Sequence, residues 1–286
     1  MTGNTGINKA INKFPVLIYC AIAFSVTWGL KLLYSSVRSS YGMPPLNFGL
    51  LASFGPAISA VILILATEGT DGFIRLVKSL TNYRIGVKWI LLAAFFEPVI
   101  FGIITLAYWL IYGVFPVTNP GPVLNSIASY ILVFTGGLFL WGVSEEVGWR
   151  GWLLPKLQVK MQPLQAALIL AIIVSIWHIN PNSVSEYFIS KEGECIYGYF
   201  PSIAERIIIS IPITMVESYI FNRTGGCLLL MLCYHSASNT SYFWIDGMFG
   251  VAGTDFFRIS FLAVLVILAV IFTFLLLKQR DKVTFI

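Results

Sequence analysis

Long apolar runs are the feature that most restricts what this chain can fold into. A helix needs about 20 mainly apolar residues to cross the hydrocarbon core of a bilayer. Hydrophobic residues make up 57% of the 286 positions and charged residues only 11%, too few polar side chains to cover a water-soluble core. The sequence therefore predicts an all-α, polytopic membrane protein with about eight transmembrane helices. We expect them at 14–34, 48–67, 89–114, 126–147, 163–179, 203–221, 226–244 and 259–277.

The basic residues predict how these helices are oriented. With the N-terminus inside, 13 of the 18 Lys and Arg residues fall in cytoplasmic connections, as the positive-inside rule requires. Both termini are then cytoplasmic, and the net charge of +5 reflects topology rather than nucleic-acid binding. We expect the first apolar run to be retained, because no small-residue cleavage site follows it. The simplest organisation is one domain, 1–286, with its motif-bearing core at about 126–244, in a prokaryotic plasma membrane.

Two further patterns concern the connections and the cysteines. The segment from Gly69 to Lys88 has its apolar residues on one helical face, which is typical of a helix lying in the membrane interface. The cysteines are scattered and form no CxxC pair, so neither a structural zinc knuckle nor a disulfide framework is supported. They are Cys20, Cys195, Cys227 and Cys233.

Three ionisable residues interrupt the end of the fourth predicted span. Charges at membrane depth are costly and therefore indicate function. Glu146 precedes Arg150 by four residues, the favourable order for a helical ion pair, whereas Glu145 points about 100° away and has no local counter-ion. We interpret Glu145 as a general base that takes and gives a proton near neutrality, with Glu146 and Arg150 as a supporting pair. An ion-paired helix end would explain the pair but not Glu145.

The only two histidines also fall in predicted spans. His178 closes the fifth span, and His235 lies in the seventh with Asn239 one turn later on the same face. A histidine that moves a proton, beside an amide that donates to a developing negative charge, is a catalytic pair. The alternative is that these side chains only hydrogen-bond neighbouring helices.

Three more residues are expected to support the site without performing chemistry. Glu97 and Glu217 are acids inside the third and sixth predicted spans, and Trp177 precedes His178. Either acid could instead bond to a helix interrupted by proline.

The motifs taken together resemble the CPBP family of intramembrane proteases. The pattern is Glu145-Glu146-x-x-x-Arg150, a histidine near the end of the next span, and His235-x-x-x-Asn239 two spans later. The family takes in the CAAX prenyl endopeptidases and the bacterial bacteriocin-processing, or Abi, proteins. The resemblance covers about Leu138 to Asn239 and includes Trp149-Arg150-Gly151 and Trp177-His178. One departure is Val174, where the family often has an aromatic residue, and it bears on pocket shape more than on chemistry.

This resemblance implies hydrolysis of a peptide bond within the membrane, in a prenylated CAAX-type or a small leader or bacteriocin-type peptide. Glu145 would activate water with His178, and Glu146 with Arg150 would support that acid. His235 with Asn239 would bind and polarise the scissile carbonyl. The resemblance to the prenyl endopeptidases favours a metal-free glutamate mechanism without cofactor, and the zincin motif is absent here. The alternative is a divalent metal such as zinc, held by Glu145, His178 and His235.

Straight helices would keep these residues apart. Glu145 would lie near the cytoplasmic end of its span and His178 at the outer end of the next, up to about 20 Å away. We nevertheless expect Glu145, His178 and His235 to converge in one cavity open to the cytoplasmic side.

Two other classes of protein remain open. One is a non-catalytic immunity or partner-binding protein of the same fold, although every motif position is occupied here. The other is an ion-coupled transporter with a relay of buried acids, although the chain lacks the repeated halves typical of such proteins. The relay would comprise Glu97, Glu145, Glu146 and Glu217.

Overall fold

The computed structural model describes residues 11–41, 48–81, 85–114, 123–179, 181, 203–249 and 254–279. Within these ranges the secondary structure is helical and contains no strand, as the composition predicts. Cys195 and both termini, 1–10 and 280–286, lie outside the described residues. The α-helices are α1 (Pro15–Tyr41), α2 (Phe48–Ala52), α3 (Gly55–Thr67), α4 (Gly69–Leu80), α5 (Val87–Tyr112), α6 (Val123–Gly137), α7 (Leu154–Gln158), α8 (Pro163–Trp177), α9 (Ile203–Arg223), α10 (Leu228–Phe249) and α11 (Asp255–Lys278).

Helices occur at all the predicted spans, and the chain is an integral membrane protein. In the described part of the chain, four helices are long and apolar enough to cross a membrane: Pro15–Val37, Val87–Tyr112, Ile127–Gln158 and Asp255–Lys278. The count of eight crossings and the cytoplasmic position of both termini stay predictions. The segment 48–67 is not one helix but two, α2 and α3. Pro56 starts α3, because proline fits the first helical turn, where its missing N–H is not needed.

The span that carries the acidic motif is longer than predicted. It does not end at 147, because two π-helical segments, Leu138–Glu146 and Trp149–Leu153, continue the helix from α6 into α7. We call the continuous stretch Ile127–Gln158 the motif helix. Glu145 therefore lies in the middle third of this helix. The separation of about 20 Å from His178 assumed that the helix ends two residues after Glu145, and it does not. π-helical turns are rare and are frequently found at functional sites.

Two glycines let neighbouring helices come close to the motif helix. A Cβ atom on Gly142 would lie 3.0 Å from Cα of Leu232 in α10. A Cβ atom on Gly148 would overlap Pro56 in α3. Any larger residue would have to push these backbones away. Close packing on both sides is what holds the motif residues out of contact with lipid and water.

The helix α4 corresponds to the predicted interface segment. Leu76 is buried, and its Cδ1 atom would lie 3.0 Å from a Cβ atom placed on Gly151. Phe73, Ile74 and Val77 are exposed, which is how an interfacial helix presents its apolar side to lipid. The predicted apolar face is therefore divided between the protein core and the surroundings.

A cluster of ion pairs lies at the start of α4, which we call the Glu68 cluster. Glu68 accepts from Nη2 of Arg75 at 2.8 Å and from Nζ of Lys156, in α7, at 2.9 Å. All three side chains are partly exposed, between 28% and 38%. The cluster connects α4 to the end of the motif helix.

Candidate active site

Glu146 and Arg150 form the ion pair that the sequence predicts. Their side chains are buried, with 0% and 3% exposed. Nη1 of Arg150 donates to both oxygens of Glu146, at 2.7 and 2.9 Å. A charge removed from water costs on the order of several kcal/mol unless it is paired and hydrogen-bonded. The ion pair therefore stabilises two buried charges that lipid does not solvate and that water does not reach.

A second carboxylate, from α9, binds the same arginine. Nη2 of Arg150 donates to Oε2 of Glu217, which is also buried. Arg150 thus neutralises two acids that come from different helices. The sequence marks Glu217 as a supporting residue but does not predict this contact. The two residues are 67 positions apart, and no helical period relates them.

His235 adds a third group to this set. Its Nδ1 atom lies 2.8 Å from Oε1 of Glu146. An ionised carboxylate only accepts hydrogen bonds, so Nδ1 carries a hydrogen and the chemistry of the ring is left to Nε2. We call Glu146, Arg150, Glu217 and His235 the charge network. The sequence assigns Glu146 to the support of Glu145, whereas in the structure its carboxylate also holds His235.

Asn239 lies one turn beyond His235 on α10 and is half-buried. Within the described ranges no group hydrogen-bonds to its side chain. On the face of α10 that carries His235, the amide therefore has no partner from the described part of the chain.

His178 follows the last turn of α8. Its Nδ1 atom lies 2.8 Å from the backbone carbonyl of Val174. A carbonyl oxygen can only accept, so Nδ1 donates and a neutral ring has its lone pair on Nε2. Because Val174 supplies a backbone oxygen, this hydrogen bond does not depend on an aromatic side chain at that position.

Trp177 attaches this end of α8 to α1. Its Nε1 atom donates to Oγ1 of Thr27 at 2.8 Å, and its backbone carbonyl accepts from Nε1 of Trp28 at 3.2 Å. The indole of Trp177 packs edge-on against the ring of His178, with centroids 4.7 Å apart. Trp177 therefore positions His178 both through the backbone and through its ring.

Glu145 is buried and is contacted by Trp149. Nε1 of Trp149 donates to Oε2 of Glu145 at 3.4 Å. The ring of Trp149 packs edge-on against Trp177, with centroids 5.5 Å apart. A short chain of contacts thus runs from Glu145 through two indoles to His178. The two residues that the sequence placed at opposite ends of their helices share one aromatic neighbourhood.

Two cations from other helices also act on Glu145. Nζ of Lys31, in α1, lies 5.7 Å from the ring centroid of Trp177. The charges of Lys31 and of Arg206, in α9, both interact with Glu145, and that of Arg206 interacts with His178. The sequence predicts no local counter-ion for Glu145, and Arg150, the basic residue nearest to it on the motif helix, forms its ion pairs with Glu146 and Glu217. Sequence reasoning missed Lys31 and Arg206 because they lie on other helices, far from Glu145 along the chain.

Glu97, in α5, contacts α10 beside the site residues. It is buried, and its Oε2 atom accepts from the hydroxyl of Ser238, the residue before Asn239. The charge of Glu97 also interacts with those of His235 and Glu217. Glu97 therefore connects α5 to the segment of α10 that carries the histidine and the amide.

One group of residues has the spacing of a metal site. Ligand atoms of Glu146, Glu217 and His235 all lie within 4.8 Å of one another. It is the only such group in the described part of the chain, and it differs from the set named from the sequence, Glu145, His178 and His235. Arg150 already bonds to both carboxylates, so a cation is present where a metal would have to bind. The donor set fits a metal only if Arg150 moves away.

Comparison with known proteins agrees with the resemblance inferred from the motifs. Residues 127–241 match the family model described as "Type II CAAX prenyl endopeptidase Rce1-like". The match includes both histidines, Asn239, Glu217 and the whole acidic motif. No curated protein matches the chain.

Proposed function

We propose, from the membership of residues 127–241 in the Rce1-like family of CAAX proteases, that this chain is an intramembrane endopeptidase with Glu145 as its general base. The family is one of proteases. Its substrate here would be a prenylated CAAX-type peptide or a small leader or bacteriocin-type peptide. The observation that carries the proposal is the charge network, in which a hydrogen bond of 2.8 Å connects His235 to the motif helix.

The first step is attack of water on the scissile carbonyl. Glu145 and Nε2 of His178 hold the water, and Glu145 takes its proton as the oxygen adds to the carbonyl carbon. The carbonyl π-bond breaks and its electron pair moves to the oxygen, which gives a tetrahedral intermediate. Trp177 keeps His178 in place for this step through its contacts with α1 and with the imidazole ring.

The negative oxygen of the intermediate needs hydrogen-bond donors. Asn239 donates from its amide nitrogen, and His235 donates from Nε2 in its imidazolium form. The carboxylate of Glu146 on Nδ1 stabilises that imidazolium, since hydrogen bonds between charged partners are the stronger ones. The network thus aims a positive donor at the position where negative charge develops.

Collapse of the intermediate completes the reaction. The carbonyl re-forms as the bond from carbon to nitrogen breaks, and Glu145 returns its proton to the leaving amine. The products are a peptide with a new carboxylic acid and a peptide with a new amine, and the acid then loses its proton to the amine or to water. Glu145 ends ionised, ready for the next cycle.

The role of Arg150 favours a mechanism without metal. Its guanidinium binds Glu146 and Glu217 at the same time, which leaves those carboxylates with little capacity for a divalent cation. The alternative is a zinc ion on His235 and the acids, where it would polarise the carbonyl or the water. Activity that survives a strong chelator supports the metal-free mechanism. Activity that is lost with the chelator and restored by zinc supports the zinc mechanism.

The proposed topology has eight crossings with both termini in the cytoplasm of a prokaryotic cell and the site open to the cytoplasmic side. It is supported by the basic residues in the assigned inner connections.

A peptide panel tests the proposed function. Purified protein in lipid nanodiscs is incubated with fluorogenic peptides that carry or lack a C-terminal prenyl group, beside the Glu145→Ala variant. We expect wild type to cleave at least one class and the variant to cleave none. Glu68→Gln, which changes an acid outside the site, serves as the matched control and retains cleavage. Equal cleavage by Glu145→Ala would contradict the mechanism, and the absence of any cleavage by wild type would favour a binding protein.

A further inference from the structure

Trp149 is a fully buried residue of the motif helix that the reaction scheme does not use. Its side chain has 0% exposure. The indole N–H is only a donor, and it bonds to Oε2 of Glu145 at 3.4 Å. A buried polar group of this kind needs its partner, so the two side chains determine each other's orientation.

The indole itself is held by aromatic rings on two sides. Tyr19, in α1, packs against it with centroids 5.8 Å apart at 63°, and Trp177 packs at 5.5 Å and 79°. These edge-on contacts involve two other helices. The ring of Trp149 therefore has little freedom to rotate, and neither has the N–H that it presents to Glu145.

We propose that Trp149 is a positioning residue for Glu145, an inference that rests on the proposed function. A carboxylate has two equivalent oxygens and turns easily about its terminal bond. By binding Oε2, the indole fixes that torsion and leaves Oε1 for the proton of the attacking water. The same ring contacts Trp177, which holds His178, so Trp149 sets the spacing between the base and the histidine.

Trp149 performs both tasks, and a phenylalanine would separate them. Phenylalanine would supply a ring for the contacts with Tyr19 and Trp177 but no donor for Glu145. Trp152, three residues later, provides a matched control in the same π-helical segment. It is buried and stacked on Tyr19, with centroids 5.1 Å apart, and its Nε1 atom has no hydrogen-bond partner in the described part of the chain.

The kinetic test compares Trp149→Phe with Trp152→Phe in nanodiscs, using a peptide that wild type cleaves. A lost hydrogen bond to a charged group corresponds to roughly a tenfold fall in kcat. We expect that fall for Trp149→Phe with KM within about twofold of wild type, since substrate contacts are unchanged. Trp152→Phe keeps both constants. A kcat for Trp149→Phe equal to that of wild type, or no lower than that of Trp152→Phe, would overturn the proposal.

A spectroscopic test decides the same point without relying on activity. The chain has eight tryptophans, so protein labelled with ¹⁵N-tryptophan gives several indole N–H resonances. The resonances of Trp149 and Trp152 are assigned by their disappearance in Trp149→Phe and Trp152→Phe. Glu145→Leu removes both acceptor oxygens. We expect it to move the Trp149 resonance upfield and leave that of Trp152 unchanged. An unmoved Trp149 resonance would disprove the bond, whereas a wild type that cleaves no peptide would count against the proposed function alone.

Discussion

The charge network and the Glu68 cluster contain the same chemistry in two different environments. In each, oppositely charged side chains meet from more than one segment of the chain, three helices in the network and two in the cluster. In each, one residue bonds to two partners: Arg150 to two acids, and Glu68 to two bases. Every member of the charge network except His235 is almost fully buried, whereas the Glu68 cluster is about one-third exposed. A charge in the first set has no water to replace a lost partner. Loss of one member of the charge network should therefore lower the stability of the fold more than loss of one member of the Glu68 cluster.

The largest expected effect comes from removing the central cation of the network. Arg150→Met leaves two buried carboxylates without their partner, and breaking a buried ion pair costs about 3–5 kcal/mol. We expect a large drop in the thermal unfolding midpoint in detergent and loss of peptide cleavage. Arg75→Met, the matched change in the exposed cluster, is expected to lower the free energy of unfolding by less than about 1 kcal/mol. If the two variants unfold at the same temperature, the contrast between the regions is wrong.

A smaller effect is expected when the network keeps its cation but loses one acid. Glu217→Gln preserves the shape and an acceptor oxygen, so Arg150 remains paired with Glu146. We expect a loss of about 1–3 kcal/mol in the free energy of unfolding, the cost of disturbing a buried charged hydrogen bond. Glu97→Gln is the control, because its partner Ser238 is a neutral hydroxyl. Denaturant titrations give the free energy of unfolding of both variants. A lower value for Glu97→Gln than for Glu217→Gln would contradict this ranking.

The smallest effect concerns Glu68 and its dependence on pH. Burial opposes ionisation of Glu68, but the hydrogen bonds and charges of Lys156 and Arg75 outweigh it and hold the pKa below its usual value. A depressed pKa in the folded state contributes stability above the unfolded pKa of about 4.3. That contribution is lost as the pH falls through the folded value.

The measurement is the difference in unfolding midpoint between wild type and Glu68→Gln as a function of pH. We expect a small difference at neutral pH, with wild type the more stable, that shrinks as the pH falls below the unfolded pKa of about 4.3 and vanishes once the pH is below the folded pKa of Glu68. A difference that grows in acid would show that the pKa of Glu68 is not lowered in the folded protein.

The sequence predicts local relationships well and distant ones poorly. The ion pair of Glu146 with Arg150 follows from a spacing of four residues, and the helix positions follow from the length of apolar runs. The predicted end of the motif helix was wrong, because the charges of Glu145, Glu146 and Arg150 were taken as the end of an apolar helix, whereas the helix continues to Gln158. Its π-helical turns have no signature in a single sequence.

Contacts between helices account for what the sequence left out of the site. Other helices bring Glu217, Lys31 and Arg206 to the motif. The periodicity of the sequence relates residues on one helix and does not predict how two helices pack. Trp149 lies in the motif beside Arg150, four residues after Glu145. That spacing was the signal that could have predicted a hydrogen bond from its N–H to Glu145. A buried donor four residues from a buried acid is a contact that a helix makes by itself.

The most direct test of the central claim separates chemistry from stability at Glu145. Glu145→Gln keeps the shape of the side chain and removes only its ability to take a proton. The cleavage rate and the unfolding midpoint are measured on the same nanodisc sample, beside wild type and Arg150→Met. We predict a rate reduced by a factor of about 100 to 10,000 with an unchanged midpoint, whereas Arg150→Met loses both. A variant that cleaves at the wild-type rate, or that loses activity only because it unfolds, would contradict the assignment of Glu145 as the base.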